Sequence, residues 1–214
     1  MGRALSLCGV ILAAGESSRM GRDKALLPWP PQAPETGAGD TFLSAAIRLF
    51  APHVDIVLVV AGKNAAQLAP VIYANGASLV VNPKPESGQF SSLKAGLHDV
   101  LSRGRDAAMI APVDCPPVRP ATIQALEGAF DQAVHRWKWA VVPEFQGQHG
   151  HPLLVAREMI EAFLRAPDDS NARDVQHAHQ ERIEYVPVND PFTVLNVDTP
   201  EQYAAVSAQV LQAG

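Results

Sequence analysis

Short apolar runs alternate along the chain with stretches whose apolar residues recur at helical spacing. The runs are apolar at nearly every position, which is typical of strands buried on both faces of a parallel sheet. These predicted strands span residues 10–12, 56–60, 78–81, 107–111, 139–142 and 183–188. The predicted helices span residues 41–50, 64–73, 91–103, 120–134, 157–164 and 200–211. The pattern therefore predicts an α/β protein.

The alternation of strand and helix predicts three layers, with helices on both sides of a mostly parallel central sheet. The chain has 214 residues, which suits one domain of the usual ~150 residues with a modest elaboration. We therefore expect residues 1–214 to form a single domain. Residues 30–40, rich in Pro and Gly, are predicted to form a surface loop. Trp137 and Trp139 lie two positions apart and are expected on one face of a strand.

The overall charge narrows the choice of partners. Lys and Arg together number 17 and Asp and Glu 22, which gives a formal net charge of −5. The composition therefore favours neither nucleic acid nor an anionic membrane as a partner. An anionic ligand must instead be held by a local cluster of cations.

The cysteines and the N-terminal segment indicate the compartment. The chain has two cysteines, Cys8 and Cys115, far apart and outside any CxxC spacing, so a disulfide framework or a structural zinc site is not expected. The apolar run at 5–14 also fits a signal peptide, but it leads into Gly15 and a charged turn, which favours a strand. No run reaches the ~20 apolar residues that span a bilayer. We expect a cytoplasmic protein.

The segment LAAGESSRMGRDKALLPW, residues 12–29, has the pattern of a polyphosphate site. It leaves a predicted strand, turns through glycine and presents Arg19, Arg22 and Lys24 within six residues. Glycine lets backbone N–H groups approach phosphate oxygens, and cations neutralise the charge of phosphoryl groups. The spacing matches neither a P-loop nor a dinucleotide-binding GxGxxG. The alternative is an ordinary surface turn with exposed cations.

Two aspartates follow predicted strand-like segments. Asp114 comes directly after an apolar run and is followed by two prolines, which end the strand. Ligands of open α/β sheets bind at such strand ends, and Mg²⁺ prefers one or two carboxylates together with phosphate oxygens. Asp114 and Asp198 are therefore candidate Mg²⁺ ligands. The alternative for each is a helix cap, and for Asp198, two residues before Pro200, it is equally well supported.

Four further segments extend the pattern of the first motif: NPKPESGQFSSLKAGL at 82–97, MIAPVDCPPVRPATI at 109–123, GHPLL at 150–154 and NVDTPEQY at 196–203. Together the five segments closely resemble the signature of the molybdenum cofactor cytidylyltransferases and their guanylyltransferase relatives. The resemblance covers nearly the whole chain and implies a Rossmann-like nucleotidyltransferase. The chain departs from the family at Cys115, where methionine usually follows the aspartate, and in its longer loop at 30–40.

The resemblance implies roles for individual residues. The implied catalytic residues are Arg19, Lys24 and Asp114, and Mg²⁺ is the implied cation at Asp114 and Asp198. The residues implied to bind nucleotide are Leu12, Ala13, Ala14, Gly15, Arg19, Lys24, Asn82 and Ser92. From the sequence itself, Ser91 or Ser92 is placed to cap the following helix, and Gly150 and His151 are expected at the far side of the cleft.

The implied reaction is transfer of CMP from CTP onto the terminal phosphate of molybdopterin cofactor, with release of pyrophosphate. Such an acceptor is mostly dianionic at neutral pH, so the attack needs no general base. The guanylyl relatives usually carry LAGG where this chain has LAAG, which favours CTP over GTP. The alternatives are GTP as donor, a sugar 1-phosphate or another phosphorylated acceptor, and a non-catalytic protein that carries the cofactor to a client molybdoenzyme.

Overall fold

A computed structural model describes residues 6–15, 17, 20–30 and 40–213. Its strands are β1 (Leu7–Leu12), β2 (Ile56–Ala61), β3 (Ser78–Val81), β4 (Ala107–Pro112), β5 (Ala140–Phe145), β6 (Gln148–His149), β7 (Leu153–Ala156) and β8 (Ile183–Pro187). Its α-helices are α1 (Phe42–Phe50), α2 (Ala65–Ala74), α3 (Gln89–Ser102), α4 (Pro120–His135), α5 (Arg157–Arg165), α6 (Ala172–Ala178) and α7 (Pro200–Ala213). The predicted order of strands and helices is thus confirmed, with β6, β7 and α6 added.

The strands form one sheet in the order β3-β2-β1-β4-β7-β5-β6, and β8 pairs with β5. Strands β1, β2, β3 and β4 pair in parallel, as do β5 and β8, whereas β7 and β6 pair antiparallel to their neighbours. The predicted mostly parallel α/β sheet is confirmed. Strand β1 lies between β2 and β4. Its last residue, Leu12, pairs in register with Val60 on one side and Pro112 on the other, at the carboxyl edge of the sheet. This point between β1 and β4 is where ligands of open α/β sheets bind.

Helices cover both faces of the sheet and give the predicted three layers. The apolar side chains of β1 divide between the faces, with Ile11 in one buried cluster and Val10 in the other. The first cluster includes residues of α1, α2 and α4, and the second includes residues of α3 and α5. A Cβ on Gly96 of α3 would lie 2.8 Å from side-chain atoms of both Val10 and Val60. Glycine therefore lets this helix pack close to the sheet.

The structure corrects two local predictions and adds one helix. Trp137 lies in the turn before β5 with a φ of 60°, and its side chain is 77% exposed, so it does not share a strand face with Trp139. Helix α3 begins at Gln89, and neither Ser91 nor Ser92 caps it. Helix α6 escaped prediction because only Val175 of its seven residues is buried, which leaves a weak periodic signal.

The N-terminal apolar run is part of the sheet, because β1 pairs with a strand on either side. Among the described helices, none has both the length and the apolar character needed to cross a bilayer. Most of the predicted loop at 30–40 lies outside the described residues, as does Arg19.

Candidate active site

Lys24, Asp114 and Asp198 come together beyond the carboxyl edge of the sheet, although they are far apart in sequence. The Lys24 Nζ donates a hydrogen bond to Asp114 Oδ2 at 3.3 Å and another to Asp198 Oδ1 at 2.6 Å. The lysine side chain is 11% exposed, whereas the carboxylates are 28% and 30% exposed. One largely buried ammonium is thus shared by two carboxylates that solvent can reach.

Asp114 owes its position to the parallel pairing of β4 with β1. The Val113 N–H donates to the Leu12 carbonyl at 2.9 Å, which extends that pairing one residue beyond the end of β4. Asp114 is the next residue, and Pro116 and Pro117 prevent the strand from continuing. The carboxylate therefore stands beside the β1 loop that carries the first motif.

Asp198 is brought to the same place by backbone and core contacts of the segment before α7. The Val197 N–H donates to the Asp114 carbonyl at 2.8 Å, and Cys115 Sγ donates to Asn196 Oδ1 at 3.2 Å. The Val197 side chain is fully buried in a small apolar cluster with Leu27. This cluster therefore packs the chain next to Asp198 against the chain next to Lys24.

Helix α7 is capped by Thr199 and not by Asp198, which was the alternative role for that aspartate. Thr199 Oγ1 accepts a hydrogen bond from the Gln202 N–H at 3.3 Å, and Gln202 Oε1 accepts from the Thr199 N–H at 3.1 Å. This reciprocal pair is a capping box at the start of α7. Because Thr199 supplies the cap, the Asp198 carboxylate is directed to Lys24 instead.

The backbone of Lys24 is fixed by its own motif. Residues Lys24–Leu26 form a short 3₁₀ helix, and Asp23 Oδ1 accepts from the Ala25 N–H at 2.9 Å. The Lys24 N–H donates to Ser17 Oγ at 3.1 Å, and Ala25 is completely buried. The main chain under Lys24 is therefore anchored, and its long side chain is the part that can change direction.

Asn64 ties the first motif to the loop after β2, a role that the sequence reasoning missed. Its Nδ2 donates to the Ala13 carbonyl at 2.8 Å and to Asp23 Oδ2 at 2.6 Å, and its Oδ1 accepts from the Gly62 N–H at 3.0 Å. An asparagine at the start of a predicted helix is an ordinary cap signal. Nothing local in the sequence distinguishes an asparagine that binds the first motif from one that only caps a helix.

Two hollows flank the motif. A smaller one, about 450 Å³, is lined by Ala14 and Gly15 on one side and by Lys63 and Asn64 on the other. A Cβ on Gly62 would lie 3.3 Å from the Ala14 Cβ and 2.8 Å from the Pro85 Cβ. Only glycine at position 62 leaves space at the point where these loops meet.

Asn82 and Ser92 are both nearly inaccessible, and they organise the loop after β3. The Asn82 Nδ2 donates to Ser91 Oγ at 2.8 Å and to Ser92 Oγ at 3.0 Å, and its Oδ1 accepts from the Lys84 N–H at 2.9 Å. The Asn82 side chain thus makes these hydrogen bonds to other groups of the protein. Both residues are thus placed to hold the loop in shape, and their contact with nucleotide stays a prediction.

The larger hollow is a cleft of about 1020 Å³ on the other side of β1 and β4. Leu12 and Pro112 line its floor, and His149 and Tyr185, whose rings stack 3.9 Å apart, lie in its wall. His151 also lines the cleft, and its Nδ1 is buried without a hydrogen-bond partner among the described residues. Gly150 and His151 thus lie on the cleft, as the sequence predicts.

Two titratable groups near the aspartates are held neutral. Burial lowers the pKa of His151, against the opposing charge of Asp114 and the Ile110 carbonyl. Burial also raises the pKa of the Cys115 thiol, and the charge of Asp114 and then Asp198 adds to that effect. Cys115 is therefore a thiol at neutral pH and not a nucleophile.

The sequence of residues 9–183 matches the family model described as the MobA-like NTP transferase domain. The chain belongs to this family. The matched residues include Lys24, Asp114 and strands β5, β6 and β7, so the MobA-like domain contains two of the three charged residues that meet at the site. Asp198 lies beyond the matched residues, and its place in the site is known from the geometry described above.

Proteins similar to this chain include a cytidylyltransferase and a probable guanylyltransferase of the molybdenum cofactor. The molybdenum cofactor cytidylyltransferase of Escherichia coli K12 is 27% identical over 198 residues, which cover 91% of this chain and 92% of the relative. A probable molybdenum cofactor guanylyltransferase of Rhodopirellula baltica is also 27% identical, over 201 residues that cover 91% and 88%. Rv0371c of Mycobacterium tuberculosis H37Rv, solved in complex with manganese, has a TM-score of 0.74 at 22% identity, covering 95% of this chain and 98% of that one.

Gly150, in the cleft wall of this MobA-like domain, packs directly against the backbone of Thr193. A Cβ on Gly150 would lie 2.0 Å from the Thr193 carbonyl oxygen, to which the His151 N–H donates at 2.8 Å. Backbone on both sides must shift to accept it, so we expect Gly150→Ala to lower the free energy of unfolding by at least ~2 kcal/mol. Urea unfolding at 25 °C measures this change.

Gly128→Ala in α4 is the matched control for Gly150→Ala. A Cβ on Gly128 meets nothing within 4 Å, so alanine there should be neutral or stabilise the helix by ~0.5–1 kcal/mol. Equal unfolding free energies for the two variants would show that the contact between Gly150 and Thr193 is not tight.

Proposed function

We propose that this protein is an Mg²⁺-dependent nucleotidyltransferase that transfers CMP from CTP onto the terminal phosphate of molybdopterin cofactor and releases pyrophosphate. The observation that carries the proposal is the meeting of Lys24, Asp114 and Asp198 at the carboxyl edge of a MobA-like domain. This arrangement supplies both a cation for phosphates and carboxylates for a divalent cation.

The two carboxylates fit the proposed metal ion. Asp114 and Asp198 both lie within hydrogen-bond distance of one cation, the Lys24 ammonium, and both remain partly open to solvent. Mg²⁺ binds through one or two carboxylates and completes its shell with water and substrate phosphates. When bound, it would neutralise charge on the reacting phosphates. The manganese in the M. tuberculosis structure agrees with a divalent cation in a protein of this fold.

The larger cleft is the proposed site of the acceptor. It begins at Pro112, two residues before Asp114, and extends beside the stacked rings of His149 and Tyr185. His151 also lines this cleft. The cleft therefore offers aromatic and polar side chains close to the carboxylates, which suits a phosphorylated acceptor.

The proposed chemistry is an in-line displacement at the α-phosphorus of CTP. An oxygen of the acceptor phosphate forms the new P–O bond, and the bond from the α-phosphorus to the oxygen bridging to the β-phosphate breaks. Pyrophosphate leaves with the electron pair of that bond. In this step Lys24 neutralises charge that shifts toward the pyrophosphate, and Arg19 keeps the same role as a prediction. The dianionic acceptor attacks without a general base.

A panel of substrates tests the proposed function against its alternatives. Pyrophosphate release is measured with each NTP and Mg²⁺, in the presence of molybdopterin cofactor, a sugar 1-phosphate or no acceptor. We expect release only with molybdopterin cofactor. Release with the sugar phosphate instead would identify a different acceptor class, and absence of release under every condition would favour a non-catalytic carrier of the cofactor.

The base preference rests on Ala14, since relatives of both specificities are 27% identical to this chain. The Ala14 methyl lies beside Gly62 and Pro85, where the loops after β1 and β2 meet. The proposal is that this methyl narrows the base site enough to favour a pyrimidine. We expect Ala14→Gly to lower the ratio of kcat/KM for CTP over GTP by about 10-fold, the effect of one methyl group in a pocket.

Ala13→Gly is the control for Ala14→Gly, because it removes a methyl from the same motif but from the buried core. That variant should lose stability and keep the CTP to GTP ratio. A ratio that falls equally in both variants, or in neither, would remove Ala14 as the determinant of the base.

A further inference from the structure

The shared position of Lys24 has a consequence for the order in which ligands bind. Its side chain is 11% exposed, and its ammonium donates to both carboxylates, at 3.3 Å and 2.6 Å. It therefore offsets part of the negative charge that would otherwise attract a free divalent cation. This point rests on the proposed function, in which the same two carboxylates hold the metal ion.

We propose that Lys24 is the counter-ion of Asp114 and Asp198 in the nucleotide-free protein and leaves them for the triphosphate when a metal–nucleotide complex binds. The lysine thus keeps free metal out of the site and admits the cation together with CTP.

The charges support this exchange in both directions. With Lys24 between them, the two carboxylates and the ammonium sum to one negative charge, and a divalent cation that approached would be repelled by the ammonium a few ångströms away. A bound triphosphate reverses the balance, since it adds several negative charges beside the ammonium. Lys24 then gains by moving to the phosphates, and both carboxylates become available to the metal ion.

The anchoring of the lysine suits a movement of its side chain alone. Ser17 Oγ holds the Lys24 N–H at 3.1 Å, and the next residue, Ala25, is capped by Asp23 and fully buried. The four-carbon side chain carries its charge on a flexible stem. The exchange therefore requires rotation of one side chain and no refolding of the motif.

The experiment compares wild type with Lys24→Met in two binding measurements. Binding of Mn²⁺ alone is followed by the electron paramagnetic resonance of the free ion, and binding of CTP at saturating Mn²⁺ is followed by equilibrium dialysis. We expect Lys24→Met to bind Mn²⁺ alone at least ~10-fold more tightly than wild type, because a positive charge next to the carboxylates is removed. It should bind Mn²⁺–CTP more weakly than wild type. A lysine that only supports the fold would not change the two affinities in opposite directions, so this result identifies an exchanged counter-ion.

Three further variants control for the loss of charge and for folding. Lys94→Met removes the same charge from a lysine that pairs with Asp168 at 2.8 Å, outside the site, and should leave both affinities at the wild-type values. Lys24→Arg keeps the charge and should keep the low affinity for Mn²⁺ alone. The double variant Asp114→Asn, Lys24→Met should lose the increased affinity for Mn²⁺ alone that Lys24→Met shows. Circular dichroism checks each fold, and Lys24→Gln replaces Lys24→Met if the latter does not fold.

The outcomes separate this inference from the proposed function. Equal affinity of wild type and the folded Lys24 variant for Mn²⁺ alone would overturn the exchange, even if wild type binds Mn²⁺–CTP normally. Absence of binding of Mn²⁺ to Lys24→Met and of Mn²⁺–CTP to wild type would overturn both the exchange and the metal-dependent function.

Discussion

We expect Asp114→Asn to lower nucleotidyl transfer at least ~100-fold without unfolding the protein. The carboxylate accepts from Lys24 Nζ and is 28% exposed, so its loss removes one charge from the site and leaves the core unchanged. An amide of nearly the same shape binds a divalent cation far less well than a carboxylate. Loss of one strong electrostatic contact to a transition state costs ~10²–10³ in turnover. Pyrophosphate release under saturating substrates measures the effect.

The matched control for Asp114→Asn is Asp131→Asn, which makes the same change on an exposed position of α4. It should keep wild-type turnover. Turnover of the folded Asp114 variant within a few fold of wild type would show that this carboxylate does not serve the reaction.

The second large effect is expected for Lys24→Ala. We expect kcat to fall at least ~100-fold, with a smaller rise in the KM for nucleotide, because the ammonium meets the triphosphate where charge moves toward the leaving pyrophosphate. Steady-state kinetics with CTP varied at saturating acceptor separate the two parameters.

Lys94→Ala is the control for Lys24→Ala, since Lys94 also pairs with an aspartate but lies away from the site. It should change neither parameter. If Lys24→Ala raised only KM, Lys24 would bind ground state and transition state equally, and the role in the transition state would be wrong.

Much of the fold follows from the sequence because buried parallel strands produce an unusual signal. Strands β1, β2 and β4 are apolar at nearly every position, since helices cover both faces of the sheet. Strand β6 has two residues and β7 has four, too short for periodicity to distinguish them from a loop. The antiparallel pairing of β6 with β5, and of β7 with β4 and β5, therefore appeared only in the structure.

The part of the site that strand ends determine was predictable from the sequence. The part that depends on tertiary contacts between distant segments was not. Asp114 follows a strand that was evident from the sequence, so the edge at which it stands was foreseeable. The contact of Lys24 with Asp198 depends instead on the packing of Val197 with Leu27. The bonds from Asn64 to the first motif leave no pattern in the sequence, because they join loops brought together by tertiary structure.

Label transfer tests whether the protein moves CMP from CTP to molybdopterin cofactor. Wild-type protein is incubated with Mg²⁺, molybdopterin cofactor and CTP or GTP labelled at the α-phosphate, and label in the pterin product is compared with pyrophosphate released. We predict one labelled nucleotide per pyrophosphate, with kcat/KM for CTP at least ~10-fold above that for GTP. A preference for GTP would contradict the cytidylyl assignment, and absence of label in the pterin from either nucleotide would contradict the transfer itself.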